Sequence, residues 1–187
     1  MNLQEARQKI DAIDPQIRKL LMERLDCSLE VAKSKQAAGE TNIYRADREQ
    51  FILDKLSEGV PADRLREYLA VVRKIMETSR MYQYGLLFEW NPELFQKLAQ
   101  GIEIKPGGTR VKVRLTRPDR PNAMSSILNM VGDYGYNMQY MELISFNPDK
   151  TVTFELTILG DLSQTPMQTL LFQLSKESQD FQILKNE

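Results

Sequence analysis

The chain has 187 residues, with 25 Lys and Arg against 26 Asp and Glu, one cysteine and no histidine, length enough for one ordinary domain or two small ones. Without histidine there is no Ser-His-Asp or Cys-His triad and no imidazole metal ligand, and Cys27 alone makes neither an internal disulfide nor a cysteine zinc site. Charge is balanced along the chain, 15 basic against 14 acidic residues in 1–88 and 10 against 12 in 89–187, so no basic excess marks a nucleic-acid surface.

No phosphate-binding loop, dinucleotide-binding glycine motif or EF-hand loop is present, so catalysis has to rest on Arg, Lys, carboxylates, amides or hydroxyls. No apolar run approaches about eighteen residues, and Met1 to Arg7 lacks both the basic region and the apolar core of a signal peptide. A cytoplasmic protein without membrane association is expected, with Cys27 simply buried.

In chain order, Leu3, Ala6, Ile10, Ile13, Ile17, Leu20, Val31 and Ala32 recur at steps of three and four. The spacing predicts one long helix over 3–38, stopped by Gly39 at a left-handed C′ position. Such a helix spans about 50 Å, longer than a compact domain of this size is wide, so it needs a partner to cover it. A second helix is expected over 46–57, ending before Gly59-Val60-Pro61. A third, with Leu65, Leu69, Val72, Ile75, Met76, Leu86 and Leu87 as its stripe, runs from Ala62 to about 88. Asn91-Pro92-Glu93 reads as N-cap, N1 and first-turn acid of a short helix over 91–100, followed by a linker ending in Pro106-Gly107-Gly108.

From Thr109 the period changes to two: Val111, Val113 and Leu115 alternate with Arg110, Lys112 and Arg114, as in a half-buried strand. A helix over 123–134 follows, then strands over 138–146 and 151–159 about the turn at Asn147-Pro148-Asp149-Lys150. A helix over 166–178 and a short strand over 180–184 complete the pattern. The order β-α-β-β-α-β is that of a ferredoxin-like α+β domain. The expected organisation is a helical domain over 1–88, a linker with a short helix over 89–108, and the α+β domain over 109–187.

Three cations interrupt the apolar stripe of the first helix, which reads Leu3, Arg7, Ile10, Asp14, Ile17, Leu21, Arg24, Ser28, Val31, Lys35. A buried unpaired cation loses several kcal/mol of hydration, so this face calls for an anion, from protein or ligand. Snorkelling past the core, or pairing with Asp14 and nearby glutamates, is the bland alternative. Ser79 and Gln83 likewise replace apolar residues on the third helix, and Arg48-Glu49 adds a cation and a carboxylate on the second. Arg24, Lys35, Ser79 and Gln83 together suggest a polar pocket inside a helical bundle. Arg7 and Lys35 lie roughly 42 Å apart along one helix, so Arg7 reaches such a pocket only in a second copy of the chain.

The ordered motifs Leu3-x-x-x-Arg7-x-x-Ile10-Asp11, Leu20-Leu21-x-x-Arg24, Val31-Ala32-x-x-Lys35, Ile43-Tyr44-x-x-x-Arg48-Glu49 and Ser79-Arg80-x-x-Gln83 resemble the all-helical chorismate mutase family over residues 3–88. The resemblance implies a three-helix fold, an intertwined homodimer and the conversion of chorismate to prephenate without cofactor or metal. It makes Lys35 and Gln83 the pair at the ether oxygen, with Arg24 and Glu49 as further catalytic residues. Arg48 and Ser79 would bind substrate, and Arg7 would be the arginine lent by the partner subunit. Arg45 stands where many relatives have an acidic residue after the motif tyrosine, a departure at the substrate's ring hydroxyl.

Asp119-Arg120-Pro121-Asn122-Ala123-Met124 and Tyr134-Gly135-Tyr136-Asn137 resemble the first loop, helix and turn of ACT domains, regulatory modules that bind amino acids. This implies an effector site at Asn122, Ala123 and Met124, with phenylalanine or tyrosine as ligand; Asn122 replaces the usual glycine but tolerates left-handed geometry. The pairing of modules resembles a bifunctional chorismate mutase/prephenate dehydratase without the dehydratase domain, since about twenty intervening residues are too few to make one. An isochorismate pyruvate lyase on the same scaffold, and a non-catalytic sensor of chorismate or an amino acid, are the competing readings.

Overall fold

The computed structural model describes residues 1–187, and the chain divides into two compact units, Met1–Leu86 and Leu87–Glu187. The first begins with α1, Leu3–Ala37. Asn2 Oδ1 accepts from the Glu5 backbone at 2.9 Å and Glu5 Oε2 from the Asn2 backbone at 3.0 Å, a reciprocal capping box satisfying two otherwise orphaned amides. Pro15 lies inside the helix, removing one amide donor without ending it. The end is set at Gly39, whose φ is +71°. Gly39 N donates to Gln36 O at 2.9 Å and Glu40 N to Lys35 O at 2.9 Å, the two bonds of a Schellman motif.

Helix α2 spans Ala46–Ser57 and α3 spans Leu65–Trp90. The sequence reading starts the third helix at Ala62, but residues 62–64 form a turn in which Arg64 N donates to Pro61 O at 3.0 Å. Asn91, read as the N-cap of a following helix, instead closes α3: its backbone and Nδ2 both donate to Leu87 O, at 3.0 and 2.8 Å. The short helix α4 is accordingly Glu93–Leu98, with Pro92 at its N-cap.

In the first unit the long helix is open on its apolar side. Leu3, Ile10, Ile13, Ile17 and Leu20 are 49–68% exposed, and only Ser28 and Ala32 of α1 are buried. Cys27, expected in the core, is exposed, because it borders an open cavity of the helical unit rather than its packed interior.

The second unit contains β1 (Arg110–Pro118), α5 (Ala123–Asp133), β2 (Asn137–Phe146), β3 (Thr151–Leu159), α6 (Thr165–Lys176) and β4 (Gln179–Asn186). The strands form one antiparallel sheet in the order β2-β3-β1-β4. Val111, Val113 and Leu115 of β1 pair in register with Ile158, Leu156 and Phe154 of β3. These six, with Ile127 and Val131 of α5 and Leu170, Leu171 and Leu174 of α6, make the buried core, as period two in the strands and period 3.6 in the helices require. On the other face Lys112 and Arg114 both pair with Glu155.

Part of the stretch expected as linker contributes to this unit. Phe95 and Ala99 are buried, and Phe88 packs between Phe95 and Phe172 at centroid distances of 6.2 and 5.9 Å. The polar remainder is tied down by hydrogen bonds from Gly107 N to Asp161 Oδ2 (2.7 Å) and from Asn186 Nδ2 to Glu103 O (3.1 Å). Asn122, before α5, takes the left-handed conformation with φ +70°.

Candidate active site

A cavity of about 360 Å³ opens in the helical unit, with Arg24, Cys27, Ser28, Val31 and Lys35 of α1 on one wall. Arg48, Glu49 and Ile52 of α2, Met76, Ser79, Arg80 and Gln83 of α3, and Ile43 and Arg45 before α2 complete it. The volume falls in the range of small-molecule sites, with convergent polar groups on an otherwise apolar lining. Seven of the eight residues expected to act on substrate line it: Arg24, Lys35, Arg45, Arg48, Glu49, Ser79 and Gln83. Arg7 is exposed on the first turns of α1 and is not among the lining residues.

Helical spacing explains why α1 supplies so much of the wall. Arg24, Ser28, Val31 and Lys35 follow one another at steps of four, three and four, and so share one face. At its centre Arg24 Nη1 donates to Ser79 Oγ at 2.6 Å, and the two serine hydroxyls lie 2.6 Å apart. Ser28 Oγ donates to the Arg24 carbonyl at 3.0 Å. Each hydroxyl has one proton, so the directions are fixed: Arg24 to Ser79, Ser79 to Ser28, Ser28 back to the Arg24 backbone. This closed ring holds the guanidinium in place without a carboxylate neutralising it.

Lys35 follows from the helix end. The Schellman turn at Gly39 folds residues 40–42 back over the last turn of α1. Lys35 Nζ donates to Glu40 Oε2 at 3.1 Å and to Asn42 O at 2.9 Å, with its side chain only 18% exposed.

On α3, Gln83 is 8% exposed. Its Nε2 donates to Ser79 O at 3.2 Å, while its Oε1 is buried without a hydrogen-bond partner. A buried amide oxygen left unpaired costs about 1–3 kcal/mol, and as an acceptor it can be met only by a donor.

Glu49 is paired with Arg80 Nη1, and the Arg80 guanidinium stacks 5.0 Å from the Tyr44 ring centroid. Arg48 is exposed and lies 5.4 Å from the Phe51 ring centroid. Arg45 is also exposed and grips Asp47 through Nε and Nη2, at 3.0 and 2.8 Å. That contact holds the Asp47 carboxyl down at about 2, through the hydrogen bond first.

The sequence alone assigns no role to Ser28 or Arg80. Ser28 stands on the polar-interrupted stripe four residues after Arg24, which was the available signal; Arg80 lies inside a quoted motif, but its partner Glu49 is 31 positions away. In the second unit, Asn122 and Met124 are exposed and Ala123 is half-buried at the start of α5. No group of three or more His, Cys, Asp or Glu is placed to hold a metal ion, and no helix is long and apolar enough to cross a membrane.

No curated protein matches the chain at a significant level. A solved structure described as "GqqA- a novel type of quorum quenching acylases" is similar at 19% identity with a TM-score of 0.42. The match covers 46% of this chain and 45% of that one. Residues 6–84, less than half of the chain, match the family model described as chorismate mutase type II, a family of isomerases, and a small α+β region follows this stretch.

Proposed function

We propose that the chain rearranges chorismate to prephenate in a homodimer, with the α+β unit as an ACT-like regulatory module. The observation that carries the reading is the single cavity on which Arg24, Lys35, Arg48, Glu49, Ser79 and Gln83 converge. In the reaction the C–O bond of the ether breaks as the new C–C bond forms within one molecule, so no nucleophile, proton carrier or cofactor is needed. The protein's task is to hold a dianion in its reactive shape and to meet negative charge growing on the ether oxygen. Arg24, locked by the two serines, and Arg48 bind the carboxylates. Lys35 and Gln83 face the ether oxygen, the first with its ammonium and the second with the amide N–H that Ser79 O does not occupy. Glu49 receives the hydroxyl region of the substrate.

The open stripe of α1 supports the dimer: five large apolar side chains about half exposed or more are unusual in a monomer unless a partner covers them. In such a dimer Arg7 enters the partner's cavity. The strand order β4-β1-β3-β2 with two helices supports the ferredoxin-like, ACT-like reading of the second unit, and Asn122, Ala123 and Met124 then lie at the effector loop for phenylalanine or tyrosine. The deciding experiment is chorismate turnover with product identification. Prephenate from chorismate is expected; no product from chorismate, or salicylate with pyruvate formed only when isochorismate is supplied instead, overturns the proposal.

A further inference from the structure

We infer that Tyr84 is a positioning residue for Lys35, acting through the segment between α1 and α2; the inference rests on the mutase reading above. Tyr84 follows Gln83 on α3 and is fully buried. Its hydroxyl accepts the backbone N–H groups of Ile43 and Tyr44, each at 3.2 Å, and donates to Asn42 Oδ1 at 3.4 Å. One phenol thereby fixes three successive residues of the connection between α1 and α2. Lys35 Nζ donates to the carbonyl of the first of these, Asn42, at 2.9 Å.

An ammonium has three N–H donors. Asn42 O and Glu40 Oε2 take two of them, and the tetrahedral nitrogen then aims the third. The aim is only as good as the rigidity of the acceptors, and Tyr84 supplies it for Asn42. Without the hydroxyl, two amides lose their acceptor and the 42–44 backbone is free to shift. Lys35 then samples directions that miss the ether oxygen. The adjacent pair Gln83 and Tyr84 thus serves one oxygen twice, Gln83 by contact and Tyr84 through Lys35.

The test is Tyr84→Phe, which keeps the buried ring and removes only the oxygen, measured in wild-type and Lys35→Arg backgrounds of the full chain. In the wild-type background kcat is expected to fall about ten- to a hundredfold. KM should change less than about twofold, because Lys35 acts on charge that exists only in the transition state. In the Lys35→Arg background, where the ammonium geometry is already lost, Tyr84→Phe should lower kcat less than about twofold. Equal losses in both backgrounds, or no loss in the first, overturn the inference. Should Tyr84→Phe unfold, Asn42→Ala is measured instead, because it removes the Oδ1 to which the Tyr84 hydroxyl donates: it is expected to lower kcat in the wild-type background and not in Lys35→Arg, and an unchanged kcat overturns the inference. Prephenate formation by the unmodified chain is the separate check of the mutase reading.

Discussion

Arg24 and Ser79 lie 55 positions apart and meet at 2.6 Å, guanidinium to hydroxyl, with Ser28 closing the ring back to the Arg24 backbone. The serines therefore orient a cation that no acidic side chain neutralises. Removing the Ser79 hydroxyl leaves the charge in place but frees its direction. Ser79→Ala is expected to raise KM for chorismate about tenfold, a loss of about 1.5 kcal/mol typical of a hydrogen bond to a charged group, with a smaller change in kcat. Steady-state kinetics checks the split: a KM within twofold of wild type means that the ring does not orient Arg24 toward substrate.

The placement of Arg7 leads to a complementation experiment. Arg7 lies 17 residues before Arg24 on the same helix, roughly 26 Å away by the helical rise, so in the proposed dimer each cavity draws Arg7 from the other chain. Arg7→Ala and Lys35→Ala are each expected to lower turnover by orders of magnitude. Random exchange of the two in equal amounts should restore about a quarter of the wild-type sites, since half the dimers are mixed and each carries one intact cavity. No recovery after subunit exchange confirmed by mass spectrometry excludes a shared site.

The long helix, its stop at Gly39 and the cations on its stripe were legible because each is a local signal, a period of 3.6, one residue tolerant of positive φ, or a charge out of pattern. What escaped was decided at a distance. Asn91 has a side chain that can cap either end of a helix, and only the reach of Nδ2 to Leu87 O shows that it closes α3. Cys27, a lone cysteine expected in the core, instead borders the open cavity, a placement set by how the three helices pack and not by its neighbours in sequence. The alternation in β1 placed Lys112 and Arg114 on the sheet face away from the core, but their anion, Glu155, is some forty positions away and is found only from the register of β1 against β3. The Tyr84 clamp has no sequence signature at all, since a buried tyrosine on a helix reads as core.

That ion cluster sets a pH dependence in the second unit. The buried Glu155 carboxyl is held below its ordinary value near 4.5, first by its hydrogen bond to Lys112 and then by that to Arg114. A depressed carboxyl stabilises the fold above its unfolded value, and this contribution is lost as pH falls from about 4.5 through the lower folded value. Glu155→Gln resembles the protonated form. It is expected to be less stable than wild type by about 1–2 kcal/mol at pH 7, discounting for the partly exposed cations. The difference should close toward pH 3. Urea unfolding at pH 7, 5 and 3 measures it; a gap independent of pH would show that the loss comes from packing rather than from charge.

Gln83 sets the final test, because its amide stays neutral at every ordinary pH and keeps one N–H beyond the one on Ser79 O. In Gln83→Glu the carboxyl donates only when protonated. Ionised, it would oppose the charge forming on the ether oxygen and would also face the Ser79 carbonyl. Activity should therefore shift toward acid relative to wild type. The Ser79 carbonyl and burial favour the protonated form, whereas Lys35 and Arg24 favour the ionised one, so the direction of the profile is the expectation. The measurement is kcat/KM for both proteins from about pH 4.5 to 8.5, across the carboxylate range, with circular dichroism at each end to exclude unfolding. A variant with wild-type rate and profile at neutral pH would place the Gln83 amide N–H away from the reacting oxygen.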